Sequence, residues 1–361
     1  HTSINYDQSM ATQSKLVTVL LMLLAMALEV RPAFWPTPEV LQSVDSDVRT
    51  LGVFENGIYK TITTTVEKTH YAAPPETLLV VSPTTIGVYP IFLFVPSALV
   101  QNYDYSQLLE HIASHGYIVV APQTWSIIIP SQTSEIEMVA SVANWIPGFL
   151  QYVLPKNVQG SEGLFAVSGH GRGGKTAFAL ALGVSKTQLK VQISALIGVD
   201  PIEGSSKLLR TKPYILKYVP DSFDLSIPTM VTGTGLGNHS KILFGPSCAA
   251  NDVNYAEYFN ECKSGTLFVV ADYGHLDLLN DKLSVAGSAA SAACVSGKGE
   301  KDLMRRTIGG LIVAYLDSSF LDKHGDYINI ITNPSLAPAR VDPIKTKTRT
   351  LVDGMQHHSQ V

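Results

Sequence analysis

The sequence predicts an α/β fold in which a mostly parallel sheet is covered by helices on both faces. Three observations predict it. Short apolar runs are bounded by turn residues, helically spaced segments alternate with those runs, and residues 164–183 pass from an apolar run through a glycine-dense turn into a small-residue helix. Runs that are apolar at every position, rather than at alternate ones, belong to strands buried on both faces.

Residues 31–75 are mixed, and within them 59–67 is rich in β-branched residues and is expected to form antiparallel edge strands. Pro74 and Pro75 break the chain before the apolar run 77–82, and Gly87 breaks it again before 91–95, so both runs are read as buried strands. Tyr105, Leu108, Leu109 and Ile112 follow helical spacing, and 117–121 is a further strand after Gly116. Residues 135–153 are read as a helix broken near Pro147. Strands follow at 193–199, 229–232 and 266–271, and a helix over 304–320 closes the alternation. With no internal repeat and no linker, 28–343 is expected to be a single domain, and the polar stretch 344–361 a flexible tail.

The order strand, glycine turn, helix at 164–183 is that of the nucleophile elbow of α/β-hydrolases. Gly169 and Gly173 stand where a side chain would strike neighbouring backbone, and Gly174, Ala177 and Ala179 let the helix pack close. The elbow pattern G-x-S-x-G centres on serine. Here the run is Gly169-His170-Gly171-Arg172-Gly173, so the nucleophile position, 171, holds glycine. In such folds the acid and then the histidine follow at the ends of later strands. Asp200, before Pro201, ends the run 195–199, and His275 follows the run 268–271. A histidine there takes the proton of a nucleophile, and the carboxylate fixes its tautomer and stabilises its cation.

With serine at 171, the stretch 169–183 would be the signature of plant chlorophyllases, and the chain resembles that family elsewhere, in the family's order. The matching segments are His111-Ile-Ala-Ser-His-Gly-Tyr-Ile-Val-Val-Ala-Pro-Gln123, Ser194-Ala-Leu-Ile-Gly-Val-Asp-Pro201, Gly233-Thr-Gly-Leu-Gly237, Asp272-Tyr-Gly-His-Leu-Asp277, Met304-Arg-Arg306 and Ser335-Leu-Ala-Pro338. The resemblance covers about residues 77–343. It implies an α/β-hydrolase fold and cleavage of the phytyl ester of chlorophyll to chlorophyllide and phytol, with Asp200 and His275 as acid and base and no cofactor. The substrate it implies is chlorophyll or a related tetrapyrrole ester, reached through peripheral contact with a membrane. Two further readings are an inactive tetrapyrrole-binding protein and an esterase for other lipophilic esters.

A second departure lies in the oxyanion hole. The family places His-Gly after the strand matching 91–95, where this chain has Pro96-Ser97. Of the two backbone donors such a hole needs, Arg172 supplies one, and Ala98 is expected to supply the other because proline has no N–H. Neither Ser97 nor Ser168 stands at the elbow's apex, so neither is expected to replace the missing nucleophile, and His170 is not expected to act in the chemistry. The chain is therefore expected to hydrolyse chlorophyll feebly, and Gly171→Ser to recover part of the rate. The loop 124–130 carries Trp125, Ile127 and Ile128 and is expected to line an apolar substrate site.

The composition excludes other classes. Of the 361 residues 45% are hydrophobic and 16% charged, and the net charge is −4, which leaves no basic surface for nucleic acid. Three cysteines are too few for a disulfide framework, although Cys248 and Cys262 are placed to bridge in an oxidising compartment. No cysteine or histidine cluster has metal spacing, and 233–237 lacks the helix start and the downstream acid of a dinucleotide site. Near the N-terminus, Lys15, an apolar run over 16–24 and Ala25-Met26-Ala27 follow the pattern of a secretory signal peptide. Residues 1–27 are therefore expected to be removed, with a chloroplast transit peptide as the alternative. Asn238-His239-Ser240 is a glycosylation sequon that fits the secretory route.

Overall fold

The computed structural model describes residues 51–125, 128–243 and 245–348. The expected leader at 1–27 lies outside them, as does Ile127. The strands are β1 Thr61–Val66, β2 Leu78–Pro83, β3 Gly87–Val95, β4 Ile118–Pro122, β5 Val158–His170, β6 Ala195–Val199, β7 Thr229–Thr234, β8 Gly265–Val270 and β9 Val341–Lys347. They form one nine-stranded sheet in the order β1-β2-β4-β3-β5-β6-β7-β8-β9. From β4 to β8 every neighbouring pair is parallel, while β1, β2 and β9 add antiparallel edges. The strand order reverses at β3, which has β4 on one side and β5 on the other. A crevice opens beyond the carboxyl ends of parallel strands at such a reversal.

The helices are α1 Ser106–Ser114, α2 Gln132–Phe149, α3 Arg172–Ala181, α4 Tyr255–Glu261, α5 Val285–Ala293, α6 Lys301–Phe320 and α7 Gly325–Thr332. Successive strand residues feed two separate cores, as the period of two requires. Phe92 and Phe94, with Val119 and Ala121, pack beneath α1 and α6, whereas Ile91, Leu93 and Val95, with Ile118 and Val120, pack beneath α2 and α3. The continuous apolar runs are thus explained by a sheet buried on both faces.

Two residues after Pro147 the α-helix α2 ends at Phe149, and 150–153 continue as a 3-10 turn. Two expectations change. The loose tail does not begin at 344. Residues 341–347 form β9, paired antiparallel with β8 through Phe268↔Ile344 and Gly265↔Lys347. Val341 joins the core under α6 and Ile344 packs against it, but they stand among Asp342, Lys345, Thr346 and Lys347 and make no continuous apolar run, so the sequence reads as a polar tail. Finally, Cys248 is bonded to Cys294, with Cα atoms 5.7 Å apart, and not to Cys262. The reason is the sheet itself: Cys248 and Cys294 pack against the core under α6, whereas Cys262 belongs to the opposite core. Burial lifts the Cys262 thiol to about 12, which leaves it protonated and inert.

His111 in α1 is buried, with Nε2 donating to the carbonyl of Val53 at 2.9 Å. Burial is the main cause that pushes its pKa down to about 4, and His115 and Arg306 add to the effect. The unfolded chain therefore takes up this proton first as pH falls. The stability the neutral ring contributes is complete above about pH 6.5 and is lost as pH falls towards 4. His111→Gln keeps a donor for Val53 but cannot titrate. It should lose roughly 2 kcal/mol less stability than the parent between pH 7.5 and pH 5, measured by urea unfolding at both values.

Candidate active site

β5 ends at His170 and α3 begins at Arg172, so the chain reverses on Gly171 alone, at φ +54° and ψ −120°. This is the left-handed region, where glycine is unstrained. The Gly171 N–H donates to the Val199 carbonyl at 3.0 Å, and its own carbonyl accepts from Ile202 at 3.0 Å, so the apex is tied to the end of β6. The start of α3 is pressed against the end of β3. A Cβ on Gly173 would lie 2.2 Å from the Val95 carbonyl oxygen and 2.5 Å from that of Pro96.

Asp200 leaves β6 and His275 follows β8, and both are buried. His275 Nδ1 donates to Asp200 Oδ2 at 2.8 Å, and the Thr234 hydroxyl donates to the same oxygen at 2.6 Å. The pairing leaves Nε2 as the ring's open nitrogen, and it lies 2.9 Å from the point that a Cβ on residue 171 would occupy. The structure brings Asp200, His275 and Gly171 together and adds Thr234, from the Gly233–Gly237 motif, which the sequence reading missed. β7 lies beside β6 with Val199 opposite Thr232, so a hydroxyl two residues further along β7 can reach the carboxylate that follows Val199.

His170 is wholly buried, with Nδ1 2.8 Å from Tyr105 Oη and Nε2 2.9 Å from the His275 carbonyl. Burial, and then the charge of His275, pushes its pKa well below 6.5, so the ring is neutral. Because a carbonyl only accepts, Nε2 carries the proton and Nδ1 accepts from the Tyr105 hydroxyl. The Tyr105 oxygen accepts in turn from the Ser97 N–H at 3.1 Å. His170 therefore links Tyr105 to the loop that carries His275.

The Ser97 N–H is taken up by Tyr105. Arg172, first residue of α3, has no intrahelical acceptor for its N–H, and Ala98 lies in the turn after β3. The Arg172 side chain donates from Nε to Glu135 at 2.8 Å and from Nη2 to the Pro130 carbonyl at 2.6 Å, anchoring the loop that follows β4. In that loop Trp125 Nε1 donates to the Val100 carbonyl at 2.9 Å, joining two loops, while Ile128 is 78% exposed at the mouth. Asn238 of the sequon is half-buried and donates from Nδ2 to Asn251 at 3.1 Å.

The two serines differ sharply. Ser168 is buried within β5, its hydroxyl without a partner among the described residues. The Ser97 hydroxyl, by contrast, lies 2.4 Å from the point a Cβ on residue 171 would occupy. The sequence places Ser97 in the loop after 91–95 and off the elbow's apex, because only its place along the chain is visible. The signal that could have found it is strand adjacency: the register Phe94↔Ser168 and Val95↔Gly169, carried two residues on, sets 97 beside 171.

Comparison with known proteins agrees with this geometry. The chlorophyllase family model matches residues 49–348. The chain is 45% identical to "Chlorophyllase type 0" of Chenopodium album over 84% of this chain and 88% of that protein. It is 42% identical to "Chlorophyllase-1" of Arabidopsis thaliana over 82% of this chain and 93% of that protein. With "Chlorophyllase-1, chloroplastic" of Citrus sinensis the identity is 41%, over 82% and 89%.

If Asp200 orients the base, Asp200→Asn should lower kcat/KM for a soluble ester by about 10⁴-fold, because the asparagine favours the wrong imidazole tautomer. Thr234→Val removes one donor to a carboxylate and should cost about 10-fold, while Thr234→Ser should stay near the parent rate. Steady-state kinetics of the three variants check this ordering.

Proposed function

The chain belongs to the chlorophyllase family, and from that premise we propose that it hydrolyses the phytyl ester of chlorophyll, releasing chlorophyllide and phytol. The observation that carries the reading is the buried Asp200–His275 hydrogen bond, whose open Nε2 points at the apex of an ester-hydrolase elbow. A buried imidazole with a fixed tautomer can take a proton from an attacking hydroxyl and return it to the departing alcohol. Arg172 and Ala98 supply the N–H groups for the charge that develops on the ester oxygen.

The mouth of the site suits a lipophilic substrate. Leu99, Ile128, Ile129, Leu208 and Leu243 are exposed on loops that follow β3, β4, β6 and β7, all at the carboxyl edge of the parallel strands. Such residues at one edge support contact with a membrane in which a phytyl ester resides. The name of the Citrus relative supports a chloroplast location. The leader pattern around Ala25-Met26-Ala27 and the Cys248–Cys294 bond support the secretory route instead.

Incubating the purified chain with chlorophyll a in detergent micelles and separating the products by chromatography tests the reading. Chlorophyllide and phytol should appear in equal amounts and be lost in His275→Ala. Pigment that binds without cleavage would point to a binding protein. Cleavage of simple lipophilic esters with the pigment left intact would point to an esterase of other specificity.

A further inference from the structure

Ester hydrolysis through a covalent intermediate needs a hydroxyl beside the imidazole, and residue 171 has no side chain to supply one. We propose that Ser97 is the nucleophile of this site, its hydroxyl standing in the space that a side chain at 171 would fill. The proposal rests on the reading of the chain as an ester hydrolase.

Two distances meet at one point. The Ser97 Oγ and His275 Nε2 lie 2.4 Å and 2.9 Å from the position of a Cβ on residue 171, so both converge on the apex of the elbow. The placement follows from the sheet, since β3 and β5 are parallel neighbours and both end at the strand-order reversal. Ser97 is buried, and rotation about χ1 can turn its hydroxyl towards an imidazole or a substrate. Its backbone is fixed. The chain of hydrogen bonds from the Ser97 N–H through Tyr105 and His170 ends on the His275 carbonyl, so the backbones of nucleophile and base are held by one connected set of buried groups. Tyr105 and His170 are positioning residues.

The two positions are complementary in this chain: glycine stands at the apex and serine in the neighbouring loop, at 171 and 97. A Cβ at 171 would lie 2.4 Å from Ser97 Oγ, so a side chain there would push the Ser97 hydroxyl away from the apex. Gly171→Ser on its own should therefore lower activity, the reverse of what the elbow pattern predicts.

The reaction balances. Ser97 Oγ bonds to the ester carbonyl carbon while its proton passes to His275 Nε2. The bond from that carbon to the alcohol oxygen breaks, and Nε2 returns the proton to the departing alcohol, leaving an acyl group on Ser97. Water then gives a proton to Nε2 and attacks the same carbon. The bond from that carbon to Ser97 Oγ breaks, Nε2 returns its proton to Oγ, and the carboxylic acid leaves with the serine hydroxyl restored.

The test uses the full chain and an alkyl fluorophosphonate, which labels an activated serine whatever the natural ester. Peptide mass spectrometry should find the phosphonate on Ser97, and labelling should vanish in Ser97→Ala and in His275→Ala, with folding checked by circular dichroism. Chlorophyll and p-nitrophenyl ester hydrolysis should both fall by at least about 10³-fold in Ser97→Ala. Labelling at Ser97 with no turnover of chlorophyll would uphold the nucleophile and overturn the substrate. Chlorophyll turnover in Ser97→Ala at the parent rate would uphold the substrate and overturn the nucleophile. A folded parent chain that carries no label on Ser97 overturns it as well.

Discussion

The close approach of α3 to the end of β3 governs the geometry of the site. The carbonyl oxygens of Val95 and Pro96 occupy the space where residue 173 would otherwise carry a Cβ, and only glycine permits that contact. Because α3 starts there, the chain must reverse on the single residue 171, which takes up a positive φ and ties itself to the end of β6. The turns after β3, β5 and β6 are thereby drawn to one place. His275, after β8, reaches the same place through Asp200, so residues far apart in the chain meet at one point.

The electrostatics depend on burial as much as on contact. His170 and His275 have ring centroids 4.3 Å apart, close enough for two cations to repel strongly in a dry interior. Burial keeps His170 neutral, so His275 stands beside Asp200 with no imidazolium at position 170 to oppose it. The same neutrality sets the His170 tautomer and, through Tyr105, fixes the backbone of Ser97. Lys175 in α3 supplies the contrast: it is fully buried beside Glu203 at 3.4 Å, and burial brings its ammonium down to about 8. That pair, with Thr211, fastens the helix behind the elbow to the loop following β6.

Much of this was legible in one sequence, because apolar runs at every position report strands buried on both faces. The runs at 91–95, 117–121 and 195–199 became β3, β4 and β6, and Asp200 and His275 could be placed from the strand ends alone. What stayed hidden lacks such a signal. β9 is an edge strand whose Val341 and Ile344 stand among polar residues, so it reads as a tail. The partner of Cys248 depends on which face of the sheet each cysteine joins, and sequence distance does not record faces. Ser97 illustrates the same limit at the site. Its relation to 171 passes through the register of two strands with more than sixty residues of chain between them, which only the fold brings together.

The central claim is that Asp200 and His275 form a preformed, buried hydrogen bond with Nδ1 as donor, although the apex beside them is glycine. Proton NMR of the free protein at neutral pH tests this most directly, since a buried imidazole N–H donated to a carboxylate resonates well downfield of the amide region. The account predicts one such resonance that disappears in His275→Gln and moves upfield or is lost in Asp200→Asn. A spectrum without it, or one that Asp200→Asn leaves unchanged, would contradict the site as described.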